Sequence, residues 1–292
     1  MNRRIARHFV IATLVTTLCT SSASAGAWVP SPGHGYLKLW LKWLPGFWYN
    51  DGQGNRWDYG AYHELFANAY FEVGLTDSLA LWVHAPMVQT FGLEDTRTRA
   101  MQWHTTPGDP TVGLRLQLAR VGRAAFALDA SVRAPVARAG VVQTVFSSMG
   151  PEYRAVGGLQ IGSGATDVTL ALSMGYAKDH WYVGGVFGAV YRSNDFDPAG
   201  TVQLEAGGRI ARDRVGIRGR YTGYLSIPVG RAPRHESPSG IGNGTRYWGL
   251  ALEADVRVAS RWDVGITLEG GAGPLVRQTG GPVISLYAAT SF

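Results

Sequence analysis

The stretch Gly35–Leu44, which reads GYLKLWLKWL, decides the fold because its residues alternate between two faces. Every second position is apolar, namely Leu37, Leu39, Leu41 and Trp43. The positions between them are Lys38, Trp40 and Lys42. A helix would place both lysines within the apolar stripe, whereas a strand places them on the opposite face. The pattern therefore predicts a β-strand with one apolar and one polar face.

The same alternation recurs along the chain in short segments that turn residues separate. Segment 181–191, WYVGGVFGAVY, is apolar on both faces, so its register stays open. An all-β chain follows from the pattern. The twelve segments lie at 35–44, 62–75, 78–86, 109–120, 124–134, 167–177, 181–191, 201–212, 215–225, 247–258, 262–270 and 282–292.

The links between these segments alternate strictly in length. The short ones are Thr76-Asp77, Val121–Arg123, Lys178–His180, Asp213-Arg214 and Ala259–Arg261. The long ones are 45–61, 87–108, 135–166, 192–200, 226–246 and 271–281. Outer-membrane barrels have short turns at one end and long loops at the other, whereas soluble sandwiches have no reason to sort loops by length. The sequence thus predicts a monomeric, transmembrane, antiparallel up-and-down β-barrel of about twelve strands.

Composition excludes other classes of protein. The 292 residues are 46% hydrophobic and only 16% charged, with 39 Gly and 10 Trp. This is too apolar for a disordered chain and too lightly charged for an ordinary cytosolic enzyme. The only helix-like apolar run is Phe9–Cys19, so a bundle of transmembrane helices is excluded as well.

Residues 1–25 have the features of a secretory signal peptide. They combine basic residues near the start, the apolar run Phe9–Cys19, and the small residues Ala23-Ser24-Ala25 as a cleavage site. We expect export to the cell outer membrane and a mature domain at 26–292. Cleavage would lower the count of Lys and Arg from 27 to 24 against 21 Asp and Glu, so the net charge falls from +6 to +3. A nucleic-acid partner is therefore not predicted.

The C-terminal sequence ISLYAATSF alternates up to a final aromatic residue, Phe292. This ending resembles the assembly signal of outer-membrane barrels and implies recognition by the barrel-assembly machinery. The other expected partners are outer-membrane lipid and lipopolysaccharide. Aromatic residues near the predicted strand ends are typical of interfacial girdles; they are Trp43, Tyr62, Trp82, Trp181, Tyr247 and Trp262.

Catalytic motifs are absent from the sequence. It contains no G-x-S-x-G, P-loop, H-E-x-x-H or G-x-G-x-x-G pattern, and no histidine pair has metal-ligand spacing. We therefore predict no enzyme activity, no catalytic or cofactor-binding residues, no metal site and no cofactor.

The candidate functional residues are the charged side chains on the polar face of each strand, which a barrel directs into its lumen. The basic candidates are Lys38, Lys42, Arg115, Arg133, Arg209, Arg218, Arg220 and Arg257. The acidic candidates are Glu64, Glu72, Asp129, Asp167, Glu205, Glu253, Asp255, Asp263 and Glu269. These sets are nearly balanced, which leaves two interpretations. The lumen has a transverse field that orients a polar solute, or cross-strand ion pairs fill it as a plug.

Several segments resemble a family of bacterial outer-membrane proteins named after the meta-pathway of phenol degradation. Gly26-Ala27-Trp28 followed by Gly33–Leu39 is similar to that family's opening strand, and Val73–Leu79 to its first hairpin. Pro107–Leu114 and Gly162–Asp167 are similar to its two Gly/Asp strand openings. The resemblance implies a barrel transporter for aromatic or other hydrophobic compounds, and it transfers no catalytic residues.

From these observations we predict a channel or transporter for passive uptake of small solutes, whose particular solute the sequence does not name. One alternative is a structural or surface-interaction barrel with a closed lumen. Another is a barrel-embedded hydrolase whose active site is built from separate loops.

Overall fold

The computed structural model describes residues 26–50, 55–95, 98–137, 139, 141–143, 159–229, 243–273 and 278–292. The predicted signal peptide lies outside these residues. Twelve long strands form the main structure: β1 Gly35–Asn50, β2 Arg56–Gly74, β3 Leu79–Glu94, β4 Thr111–Val121, β5 Ala124–Arg133, β6 Asp167–Lys178, β7 Trp181–Arg192, β8 Ala199–Ile210, β9 Val215–Ser226, β10 Arg246–Arg257, β11 Trp262–Gly271 and β12 Val283–Ser291. Four short strands lie at Met101–Thr106, Val141–Gln143, Leu159–Gln160 and Gln278–Gly280.

The twelve long strands form a closed antiparallel barrel. Each pairs with its sequence neighbours, and β1 also pairs with β12 through a register that runs from Tyr36–Ser291 to Trp43–Ile284. Closure leaves no unpaired edge along the wall, which is the condition for a sheet to cross a membrane. The prediction of a twelve-stranded up-and-down barrel is confirmed.

Burial along the strands is inverted relative to a water-soluble protein. In β10 the buried residues include Glu253 and Asp255, whereas Leu252 is 69% exposed. The outer surface is therefore an apolar band, and the inner surface carries the charge, as in barrels that face hydrocarbon. β7, whose register the sequence left open, has the same arrangement, with Tyr182 and Arg192 buried and Phe187 exposed.

The first three strands are longer than the alternation predicted. The segments 45–61 and 87–108, expected as loops, largely continue as strand, and Met101–Thr106 adds a further strand to β3. The predicted segments end just before Pro45 and at Pro86, yet both prolines lie inside strands, because each is accommodated beside an irregularity of the ladder. The β1–β2 register shifts between Gly46 and Trp48, and the β2–β3 register shifts beside Pro86. One side of the barrel wall is consequently taller than the other.

Residues 26–34, which precede β1, do not form part of the opening strand, contrary to the expectation from the resemblance. Only Pro32 makes an isolated bridge, to Gly74. The indole ring of Trp28 lies against Gly175 on β6, and Ala27 is fully buried. The segment therefore crosses from the β1–β2 side of the barrel to β6, through the lumen near the end that carries the short turns.

The C-terminal residue is tied to the start of β1. Phe292 and Gly35 exchange backbone hydrogen bonds of 3.0 and 3.1 Å, and the Phe292 ring stacks on Phe71 with centroids 5.8 Å apart. The last residue thus helps to complete the junction between the first and last strands.

Candidate functional site

The lumen is the candidate site, and it has two different halves. The half nearer the long loops contains a cavity of about 1290 Å³, here called the vestibule. The half nearer the short turns is occupied by ion pairs and by residues 26–30, as described below. Strand alternation creates both halves, since every second residue of each strand points inward.

One wall of the vestibule is apolar and aromatic. A buried cluster on the tall side of the barrel contains Leu44, Tyr62, Phe91 and Leu93, with Phe66 packed against it. Below it, the rings of Trp40 and His84 stack at 5.4 Å with an angle of 9° between their planes. A flat solute could lie against this wall, since planar groups stack favourably on aromatic rings.

The other walls of the vestibule carry charge. Arg133 contacts Asp167 at 2.5 Å and Asp109 at 3.7 Å, and Arg192 contacts Asp167 at 3.4 Å. Lys42 lies 3.8 Å from Glu64 and above the Phe66 ring. Glu269 also lines the vestibule, and the described part of the chain shows no ion pair for it.

A dense ion-pair network occupies the inner face of β8–β12. Glu253 lies at its centre and receives Lys38 at 3.0 Å, Arg218 at 2.9 Å and Arg220 at 3.6 Å. Thr267 donates a further hydrogen bond to Glu253 at 3.1 Å.

The network continues towards the short turns through Asp255, which also pairs with Arg218. Arg209 bridges Asp255 at 2.9 Å and Asp263 at 2.8 Å, and Arg257 lies 3.2 Å from Asp263. Since its members come from strands far apart in sequence, the network joins a large part of the barrel circumference.

A second cluster lies on β2, β4, β5 and β6, opposite the network. Arg115 contacts Glu72 at 2.6 Å and Asp129 at 2.8 Å. Tyr70 donates a hydrogen bond to Glu72 at 2.7 Å, and Ser173 donates one to Asp129 at 2.6 Å. The four groups Glu72, Arg115, Asp129 and Ser173 are here called the carboxylate cluster. It holds two carboxylates and one guanidinium.

All of the charged candidates named from the sequence lie on inward-facing positions, and the ion pairs join most of them. Two features were not anticipated. The first is the number of aromatic side chains on the inner face, which include residues expected in the outer girdle. Tyr62 is fully buried, Trp82 stacks on Tyr70, and Tyr247 lines the vestibule, so that interpretation was wrong for these three. Trp43, Trp181 and Trp262 do lie on the outside, each more than 40% exposed.

The second unanticipated feature is the lumen segment, residues 26–30, which residues 31–34 connect to β1 along the exposed rim. No periodicity marks it, although Pro30, Pro32 and Gly33 indicate a non-strand conformation before the first alternating segment. The segment and the ion pairs together narrow the lumen at the short-turn end.

The described residues contain no helix able to span a membrane. Within the same ranges, no group of three or more His, Cys, Asp or Glu residues is arranged to hold a metal ion.

No protein-family model matches the sequence, and no curated protein does. Solved structures do resemble it. An outer-membrane channel from Pseudomonas putida F1 is 12% identical with a TM-score of 0.62, over 93% of this chain and 99% of that one. The NanC porin is 10% identical with a TM-score of 0.51, over 88% of this chain and 98% of that one. At these identities the likeness concerns the fold, so the chain has the fold of outer-membrane β-barrels.

Proposed function

We propose that this protein is an outer-membrane channel through which small solutes enter passively. The vestibule carries the proposal, because a cavity of about 1290 Å³ inside the barrel is large enough to hold a small solute. The two barrels it resembles are described as a channel and a porin, which supports the same conclusion. The proposal also includes removal of the signal peptide and location in the outer membrane. It further includes contacts with membrane lipid, lipopolysaccharide and the barrel-assembly machinery.

We further propose that aromatic and other hydrophobic compounds are among its solutes. The wall formed by Phe66, Phe91 and His84, on which Trp40 stacks, offers flat apolar surface beside charged groups such as Arg133. Such a mixture suits a ring that carries one polar substituent. The resemblance to the phenol meta-pathway family supports this class of solute.

The second candidate is a barrel with a closed lumen. Its support is the occupied short-turn half, where the lumen segment and the network around Glu253 fill space that a porin leaves to water. The two candidates differ in whether ions and solutes pass through the lumen and so cross the membrane.

Conductance in planar bilayers and swelling of liposomes separate the candidates. The channel predicts discrete conductance steps, together with faster swelling in benzoate at neutral pH than in a sugar of similar size, relative to liposomes without protein. A reconstituted, folded barrel that shows neither current nor swelling would favour the closed lumen.

A matched pair of variants ties the current to the vestibule. Gly249 lines the vestibule, and a side chain there would project into it, so Gly249→Trp should reduce conductance. Gly200 lies on the outer face, with no atom within 4 Å of an added Cβ, so Gly200→Trp should leave conductance unchanged. Equal currents in the two variants would place the conducting path elsewhere.

A further inference from the structure

We propose that the α-ammonium group of Gly26, formed when the signal peptide is removed, is bound inside the lumen by the carboxylate cluster. The inference rests on the proposed cleavage after Ala25 and is independent of which solute the channel carries. The occupant is the mature chain's own first residue, and its partners are Asp129 and Ser173.

Position is the first observation. Gly26 lies inside the barrel between β6 and β7, and a Cβ placed on it would be 4.0 Å from Ser173 Oγ and 3.0 Å from Val186 Cγ2. Ala27, the next residue, is fully buried. Ser173 Oγ is in turn 2.6 Å from Asp129 Oδ2. The backbone nitrogen of Gly26 is one bond from its Cα, which places it in the same part of the lumen as Ser173 and Asp129.

Charge is the second observation. Glu72, Arg115, Asp129 and Ser173 are all more than 90% buried. Within the described ranges, Arg115 is the one basic side chain that pairs with Glu72 or Asp129. With both carboxylates ionised the cluster has one negative charge in excess, and a buried charge without a partner is strongly unfavourable. One additional cation restores neutrality.

The chemistry of the terminus supplies that cation. An internal Gly26 has one neutral N–H, whereas a terminal Gly26 has three donors and a positive charge at neutral pH. Glycine suits the place because Val186 leaves little room for a side chain.

The test uses the full mature barrel, purified from outer membranes and reconstituted in detergent. Intact mass first identifies the terminal residue, and an N terminus other than Gly26 overturns the proposal. The folded protein is then treated with an acylating reagent at neutral pH, where α-amines react before lysines. An amine held as an ammonium by one ion pair should react at least about tenfold more slowly than in the denatured chain, because one pKa unit removes nine-tenths of the free amine.

Two variants distinguish ion pairing from simple burial. Asp129→Asn removes the proposed partner, so acylation of Gly26 should accelerate towards the rate in the denatured chain. Asp263→Asn changes a carboxylate of the opposite network and should leave the rate unchanged. If Asp129→Asn does not fold, as judged by heat-modifiable migration on gels, Ser173→Ala takes its place and should accelerate the reaction by a smaller factor. Equal rates in the wild type, in the variant and in the denatured chain would overturn the proposal.

Discussion

The indole ring of Trp28 lies directly against Gly175, in the position that a side chain on Gly175 would occupy. This contact holds the lumen segment against β6, because the ring fits only where the strand has no Cβ. Gly175, a glycine of the barrel wall, therefore allows the lumen segment to cross the lumen. It lies on β6, on the other side of the barrel from β1, into which the segment leads.

Gly175→Val should displace Trp28 and with it the lumen segment. We expect a larger single-channel conductance, since the short-turn half of the lumen then opens. Gly200→Val is the matched control, because it adds the same side chain to a strand where nothing lies within 4 Å. An unchanged current in folded Gly175→Val protein would show that the ion pairs, and not the segment, limit the path.

Glu253→Gln should change both selectivity and stability. Loss of the carboxylate leaves Lys38, Arg218 and Arg220 without the anion that they share. The zero-current potential in a KCl gradient should therefore shift in the direction of greater anion permeability. Breaking buried ion pairs should also lower the free energy of unfolding by about 3–5 kcal/mol. Glu269→Gln, in the vestibule, is the control and should have little effect on stability. Equal unfolding midpoints in urea would contradict the assignment of Glu253 as the centre of the network.

Arginine on the outer face should be costly in proportion to depth. Leu252 lies in the middle of β10 and is 69% exposed, whereas Val258 lies just beyond its end. In lipid vesicles, Leu252→Arg should destabilise the barrel by about 2–4 kcal/mol and Val258→Arg by at most about 1 kcal/mol. Equal costs at both positions, measured by reversible unfolding, would argue against a hydrocarbon layer around this band.

Phe292→Ala should reduce the amount of folded barrel in the outer membrane. The ring stacks on Phe71, and the backbone of Phe292 pairs with Gly35, so the alanine variant keeps the backbone junction but loses the aromatic group. Phe292→Tyr keeps an aromatic ring and should assemble normally. If both variants refold equally well in detergent but differ in cells, the ring acts in assembly; equal yields in cells would remove it as a signal.

Much of the barrel could be predicted because strand alternation is a local property. In segments such as Trp248–Val258 or Trp262–Leu268, each side chain's face follows from whether its position is odd or even. The same rule placed Arg218 and Glu253 on the inner face. It failed at Pro45, before which the predicted strand ended, since a proline ends a strand only where its missing N–H is needed for pairing. Whether it is needed depends on the neighbouring strands.

The partners within the site could not be predicted in the same way. Lys38 and Glu253 are 215 positions apart and meet because barrel closure through the β1–β12 pairing places β1 three strands from β10 along the wall. The lumen segment has no periodic pattern, and its place depends on a gap at Gly175 that only the assembled wall creates.

The sequence by itself therefore determined the strand pattern, the closed barrel and the set of charged residues that face inward, because these depend on alternation and on the need to pair every strand. The tertiary structure decided which charges neutralise one another, where the aromatic wall lies, and that residues 26–30 occupy the lumen. These features depend on barrel closure and register, which bring together residues that are distant in the chain.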